Sequence, residues 1–162
     1  MPNKPPRIYI SAIDTGFTEV PRLDPQALEL LAKLSDVGYI VYWEKQCRDY
    51  EIIERDIAGC DALLAIVDDV WLSSTWMASE VTWALGLGGA RQTSNQRMAP
   101  IPVLLYTIDP LGIGAYLRSP FNLRNPSGPH FLESNIEAAV AQVGEILPLL
   151  SKSELATSGS VA

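Results

Sequence analysis

Apolar positions in this chain follow two spacings in turn: short runs rich in β-branched and aromatic residues, and longer stretches where apolar residues recur every three or four positions. Arg7-Ile-Tyr-Ile-Ser-Ala12 is too short for a helix and rich in strand formers, which predicts a first strand ending in a loop with Asp14 and Gly16. Asp24-Pro25 supplies an N-cap and a proline suited to the first helical position, and Ala27, Leu31 and Leu34 share one face until Gly38. Tyr39–Trp43 predicts a second strand, and residues 49–58, with Ile52, Ile53 and Ile57, a short second helix. Asp61–Val67 is apolar after its first residue, as in a strand covered on both faces. Ser74 predicts the N-cap of a helix running to about Gly86, followed by a loop with Gly88, Gly89, Arg91 and Arg97. Pro100–Tyr106 predicts another strand, residues 109–129 an irregular proline- and glycine-containing segment, and His130–Leu132 a short closing strand. Ser134-x-x-Glu137 has the form of a capping box ahead of a last helix carrying Ile136, Val140, Val143 and Leu147. The tail, 151–162, is small and polar and is expected to be disordered.

Strands alternating with helices predict right-handed βαβ units, hence an α/β fold: a flavodoxin-like three-layer sandwich of about five parallel strands in the order 2-1-3-4-5, helices on both faces. One domain spans 7–150, between a short extension at 1–6 and the tail. In such sheets ligands bind beyond the C-terminal strand ends, where the strand order reverses. That expectation gathers residues 11–16, Asp68, Asp69 and the start of the helix after Ser74 around one crevice.

Charge narrows the partners. Twelve Lys plus Arg against nineteen Asp plus Glu give a formal net charge of −7, too acidic for a chain whose main task is neutralising a phosphate backbone, so no nucleic acid is expected. No apolar run approaches the roughly 20 residues of a spanning helix, and Met1–Arg7 lacks the apolar core of a signal peptide, so a cytoplasmic protein with no membrane partner is expected. Cys47, Cys60 and the single His130 have no metal-ligand spacing, and no metal site is expected. A phosphoacceptor receiver domain shares the strand order but needs a lysine after a late strand, and none occurs between Lys45 and Lys152. Ile13-Asp-Thr-Gly-Phe17 makes a poor flavin-phosphate loop because Asp14 repels phosphate, and Gly86-x-Gly-Gly follows a helix rather than a strand, unlike a dinucleotide fingerprint.

The most informative residue is Glu80, the only ionisable residue in the 21 positions between Asp69 and Arg91. Steps of three and four along the helix align it with Trp76, Trp83, Ala84 and Leu87, and Met77, Val81 and Leu85 form an apolar stripe alongside. An unpaired carboxylate there costs several kcal/mol on typical scales, so Glu80 must be paired, protonated or facing a cleft. As a structural group it would bind Arg55, Arg91 or backbone amides; as a functional one it would be a catalytic carboxylate.

Trp71-Leu-Ser-Ser74-Thr-Trp76-Met-Ala-Ser-Glu80 resembles the Ser-x-Trp-x-x-x-Glu box of Toll/interleukin-1 receptor (TIR) domains, with an aromatic-Leu pair at the expected distance before it. Ile8-Tyr-Ile-Ser11 resembles the first box of that family, 56–67 its helix-to-third-strand junction, and Ile101-Pro-Val-Leu-Leu its fourth strand, so the resemblance spans residues 7 to about 150. Met77 stands where the family usually has Cys, and the first loop differs from the common Tyr/His-Ser start. A second resemblance overlaps the first: Glu80-Val-Thr-Trp-Ala-Leu-Gly-Leu-Gly88 is similar to the Glu-x-Gly-x-Ala-x-x-x-Gly helix of nucleoside 2-deoxyribosyltransferases, whose Glu is the nucleophile, with Thr82 in place of the glycine.

Both resemblances imply cleavage of an N-glycosidic bond at a ribose C1, with Glu80 as the catalytic carboxylate that stabilises or captures an oxocarbenium-like carbon. The TIR resemblance implies NAD as a substrate rather than a cofactor, hydrolysed or cyclised, and a homo-oligomer in which a neighbouring subunit completes the site through the 12–24 and 109–129 loops. A non-catalytic TIR-type assembly module is the alternative from another class. Tyr9 and Ser11, at the end of the first strand, are expected to touch ribose hydroxyls or to serve as plain strand residues. Asp14, in the adjoining loop, is expected to bind substrate with them; Asp68 and Asp69 would receive ribose hydroxyls or form a turn; Ser74 would cap its helix, contact ligand, or both. Trp76 would stack on a heterocycle or pack in the core, Trp71 and Trp83 are assigned to packing, and Arg91 and Arg97 would approach a pyrophosphate or lie solvated.

Overall fold

In the computed structural model the described residues are 4–12, 23–43, 50–68, 71, 75–86, 100–108 and 129–149. They form five strands, β1 (Arg7–Ser11), β2 (Ile40–Tyr42), β3 (Ala62–Val67), β4 (Val103–Thr107) and β5 (His130–Phe131), and four helices, α1 (Pro25–Val37), α2 (Tyr50–Ala58), α3 (Thr75–Ala84) and α4 (Ile136–Ile146). The strands make one sheet in the order β2-β1-β3-β4-β5 with every pairing parallel, the flavodoxin-like arrangement expected from the alternation of strands and helices.

Register explains how the sheet divides its side chains. Tyr9 lies opposite Leu63 and Ser11 opposite Ala65, while Ile8 and Ile10 pair with Ala62 and Leu64. Because side chains alternate across a strand, the even-numbered residues Ile8, Ile10, Ala62, Leu64, Ile66, Leu104 and Tyr106 form one core with Leu30 and Leu34 of α1 and Ala139 and Val143 of α4. The odd-numbered Tyr9, Leu63, Ala65, Val67, Val103 and Leu105 form the other, with Ile53 and Ile57 of α2 and Val81, Trp83 and Ala84 of α3. All six residues of β3 are buried, as the central strand of a doubly covered parallel sheet requires.

The helix ends obey the local chemistry. Asp24 caps α1 by accepting from the Gln26 N–H at 2.8 Å, Pro25 occupies the first turn, and Gly38 closes the helix at φ 116°, a left-handed conformation that a Cβ disfavours. Gly86, at φ 71°, ends the segment after α3 in the same way. The cap of α4 is shifted by one residue from the expected box: Asn135, not Ser134, accepts from the Ala138 N–H at 3.0 Å. Ser134 instead turns its carbonyl to two donors, the Tyr106 hydroxyl and the Gln26 amide, both at 2.9 Å. Such long-range bonds outweigh a one-position difference between two adequate capping residues. Among the described residues no helix is long and apolar enough to cross a membrane.

Candidate functional site

The site grows from the odd-numbered row of β1. Tyr9 and Ser11 are two apart and therefore project from the same face of the strand, toward α2 and α3. On α3, Glu80 lies in the helix body and is 3% exposed, beside Val81, Trp83 and Ala84, which are also buried. Although a charged residue in an apolar helix would ordinarily face solvent, this carboxylate goes into the protein and meets the strand.

There it is held by hydroxyl groups. Tyr9 Oη donates to Glu80 Oε1 at 2.9 Å and Ser11 Oγ donates to Oε2 at 2.5 Å, one donor for each carboxylate oxygen. The second distance lies in the range of a charge-assisted O–H···O⁻ bond. Hydrogen bonds to a charged group contribute about 1.5–3 kcal/mol each, enough to offset part of the cost of placing a carboxylate among tryptophans and aliphatics. The electrostatics run both ways: burial, and then the adjacent Glu80 charge and the hydrogen bond to it, push the Tyr9 phenol well above its ordinary pKa, so Tyr9 stays protonated and a donor. Arg55 is on the exposed side of α2.

Two further contacts brace this pair. The buried Trp71 donates its indole Nε1–H to Ser11 Oγ at 3.2 Å. Its own backbone N–H donates to Asp68 Oδ1 at 2.7 Å, so the Asp68 carboxylate holds Trp71. On the β2 side, the Tyr9 and Tyr42 rings meet at 5.9 Å between centroids, and Tyr42 donates to Asp56 Oδ2 at 2.9 Å. The Arg7 guanidinium covers the Tyr42 ring at 4.3 Å, a cation–π contact, while its buried Nε has no hydrogen-bond partner.

Of the expected site residues, the structure thus brings Glu80, Tyr9 and Ser11 into one hydrogen-bonded group, with Asp68 one residue further out through Trp71. Asp14, Asp69, Ser74, Arg91 and Arg97 lie outside the described residues, as do the tail at 151–162, most of the 12–24 loop and nearly all of the 109–129 segment; for Trp76 only the backbone is described, as part of α3. The direct bonds from Tyr9 and Ser11 to Glu80, and the Tyr42–Asp56 pair, were not anticipated from the chain: they join residues 71, 69 and 14 positions apart, and no local spacing signals them. The alternation Tyr-x-Ser in an otherwise aliphatic strand was the one available hint. Among the described residues no group of three His, Cys, Asp or Glu is placed to hold a metal ion.

The arrangement lies at the topological switch of the sheet, where β1 stands between β2 and β3 and the chain order reverses. No family model, no curated protein and no solved structure matches this chain.

Proposed function

We propose that this chain is a TIR-like glycosidase that breaks the nicotinamide–ribose bond of NAD, with Glu80 as the carboxylate that meets the sugar. The observation that carries the reading is the pair of hydroxyl donors, one on each Glu80 oxygen, at the reversal point of a parallel sheet. A carboxylate held this way is fixed in position, as one must be to stabilise or capture a developing oxocarbenium carbon. As the bond breaks, its electron pair passes to the pyridinium nitrogen and neutralises it, so the base leaves without a proton donor. Water then attacks C1 and gives up a proton, leaving ADP-ribose, or an internal nucleophile closes a ring. The hydroxyl protons of Tyr9 and Ser11 go to Glu80, so both hold the carboxylate, while a hydroxyl oxygen keeps lone pairs that can accept from a ribose hydroxyl.

The test is incubation of purified protein with NAD and chromatography for free nicotinamide, with Glu80→Gln and Glu80→Ala alongside. Release by the wild type and at least about 10²-fold less by either variant is the expected outcome. Exchange of bases between 2-deoxynucleosides, with NAD untouched, transfers the same carboxylate to the deoxyribosyltransferase reading. Turnover in neither assay, also at high protein concentration, leaves an assembly module.

A further inference from the structure

Trp71 is 2% exposed and belongs to the buried layer that also holds Ile53, Ile57 and Val81, so burial alone accounts for its presence. Its indole nitrogen does something that burial does not require. An indole N–H only donates, and an ionised carboxylate only accepts. Ser11 Oγ, placed between the two, accepts from Trp71 and has a single proton, which it gives to Glu80 Oε2. The direction of the Ser11 hydroxyl is therefore set from the Trp71 side, and accepting one bond strengthens the bond it donates. Trp71 is in turn seated by Asp68, whose Oδ1 accepts its backbone N–H at the end of β3. Asp68, Trp71, Ser11 and Glu80 are thus linked by hydrogen bonds from the end of β3 across to β1 and into α3.

We propose that Trp71 is a positioning residue for Glu80: its indole N–H, acting through Ser11, orients the carboxylate that the site uses. The kinetic half of this inference rests on the proposed role of Glu80; the structural half, that Trp71 and Glu80 are coupled through Ser11, stands without it.

The experiment therefore has two arms. In the first, the Trp71 indole N–H resonance of ¹⁵N-labelled protein, assigned with Trp71→Phe, is compared in wild type, Glu80→Gln, Ser11→Ala and the double variant. Coupling predicts an upfield shift in Glu80→Gln and a larger one in Ser11→Ala, with no added effect of Glu80→Gln once Ser11 is gone. A resonance indifferent to Glu80→Gln, or one that responds equally with and without Ser11, overturns the proposal.

In the second arm, Trp71 is replaced by 3-benzothienylalanine, which keeps the fused-ring shape and exchanges the N–H for sulfur, so a failure to fold is not expected. Nicotinamide release should then show kcat lowered about tenfold with KM unchanged, and no further loss when the same replacement is made in Ser11→Ala. An unchanged kcat in a protein whose Glu80→Gln variant is inactive refutes the positioning role. A Glu80→Gln variant as active as the wild type refutes the proposed function instead, and the resonance arm still decides the coupling.

Discussion

Opposite sides of β1 face different worlds. Toward α1 and α4 it presents Ile8 and Ile10 to an aliphatic layer in which the buried polar groups are tyrosine hydroxyls reaching carbonyls at its rim: Tyr39 to Leu147 at 2.6 Å and Tyr106 to Ser134 at 2.9 Å. Toward α2 and α3 the same strand presents Tyr9 and Ser11, and both bond a carboxylate inside the layer. The first face has polar contacts where helices begin and end, as fastening; the second has them in its centre, where they cost most and where an apolar substitute of the same volume would often stabilise a fold as well or better.

The contrast is open to attack from the aliphatic side first. Leu64→Ala, at a fully buried position of the α1/α4 layer, should lower the unfolding free energy by about 2–5 kcal/mol in urea titrations while leaving turnover per folded molecule unchanged; a matching loss of turnover would mean the two faces are not separable.

An alkaline titration probes the α2/α3 layer. Burial pushes the Cys60 thiol from 9.0 up to about 11, so the folded protein keeps the thiol neutral where the unfolded chain ionises it. The stability that this provides is complete below pH 9 and is lost as pH rises toward 11, by roughly 3 kcal/mol at 1.36 kcal/mol per unit. Cys60→Ala should flatten that part of the stability–pH curve, and an unaltered slope would refute it.

A smaller, sharper comparison pairs two phenols. Tyr9→Phe removes a donor from a buried charge and should cost about 2 kcal/mol, whereas Tyr106→Phe removes one from a neutral carbonyl and should cost about 1 kcal/mol by the same denaturation measurement. Equal costs would mean that Glu80 carries no charge in the folded state.

Much of the fold could be read along the chain because its signals are local. The Asp24-Pro25 start and Gly38 stop of α1, and the unbroken apolar run of β3, depend on neighbours a few residues away. At α4 two capping residues stood side by side, and only the bonds from Gln26 and Tyr106 to Ser134 settle which one caps. Glu80 was conspicuous for the same local reason, a lone carboxylate in an apolar helix. Its partners were not, since pairing β1 with α3 depends on the sheet order, and a tryptophan in an apolar stretch gives no sign of where its N–H points. Trp71, assigned to packing, packs and also donates to Ser11.

Parity along β1 has one more consequence. If that strand slipped by a single residue against β3, Ile8 and Ile10 would confront the carboxylate, and both hydroxyls would be thrust into hydrocarbon. The misaligned sheet would take both of these donors from the carboxylate and strand a phenolic and an alcoholic proton at the same stroke, so the buried polar group also proofreads the assembly of the sheet.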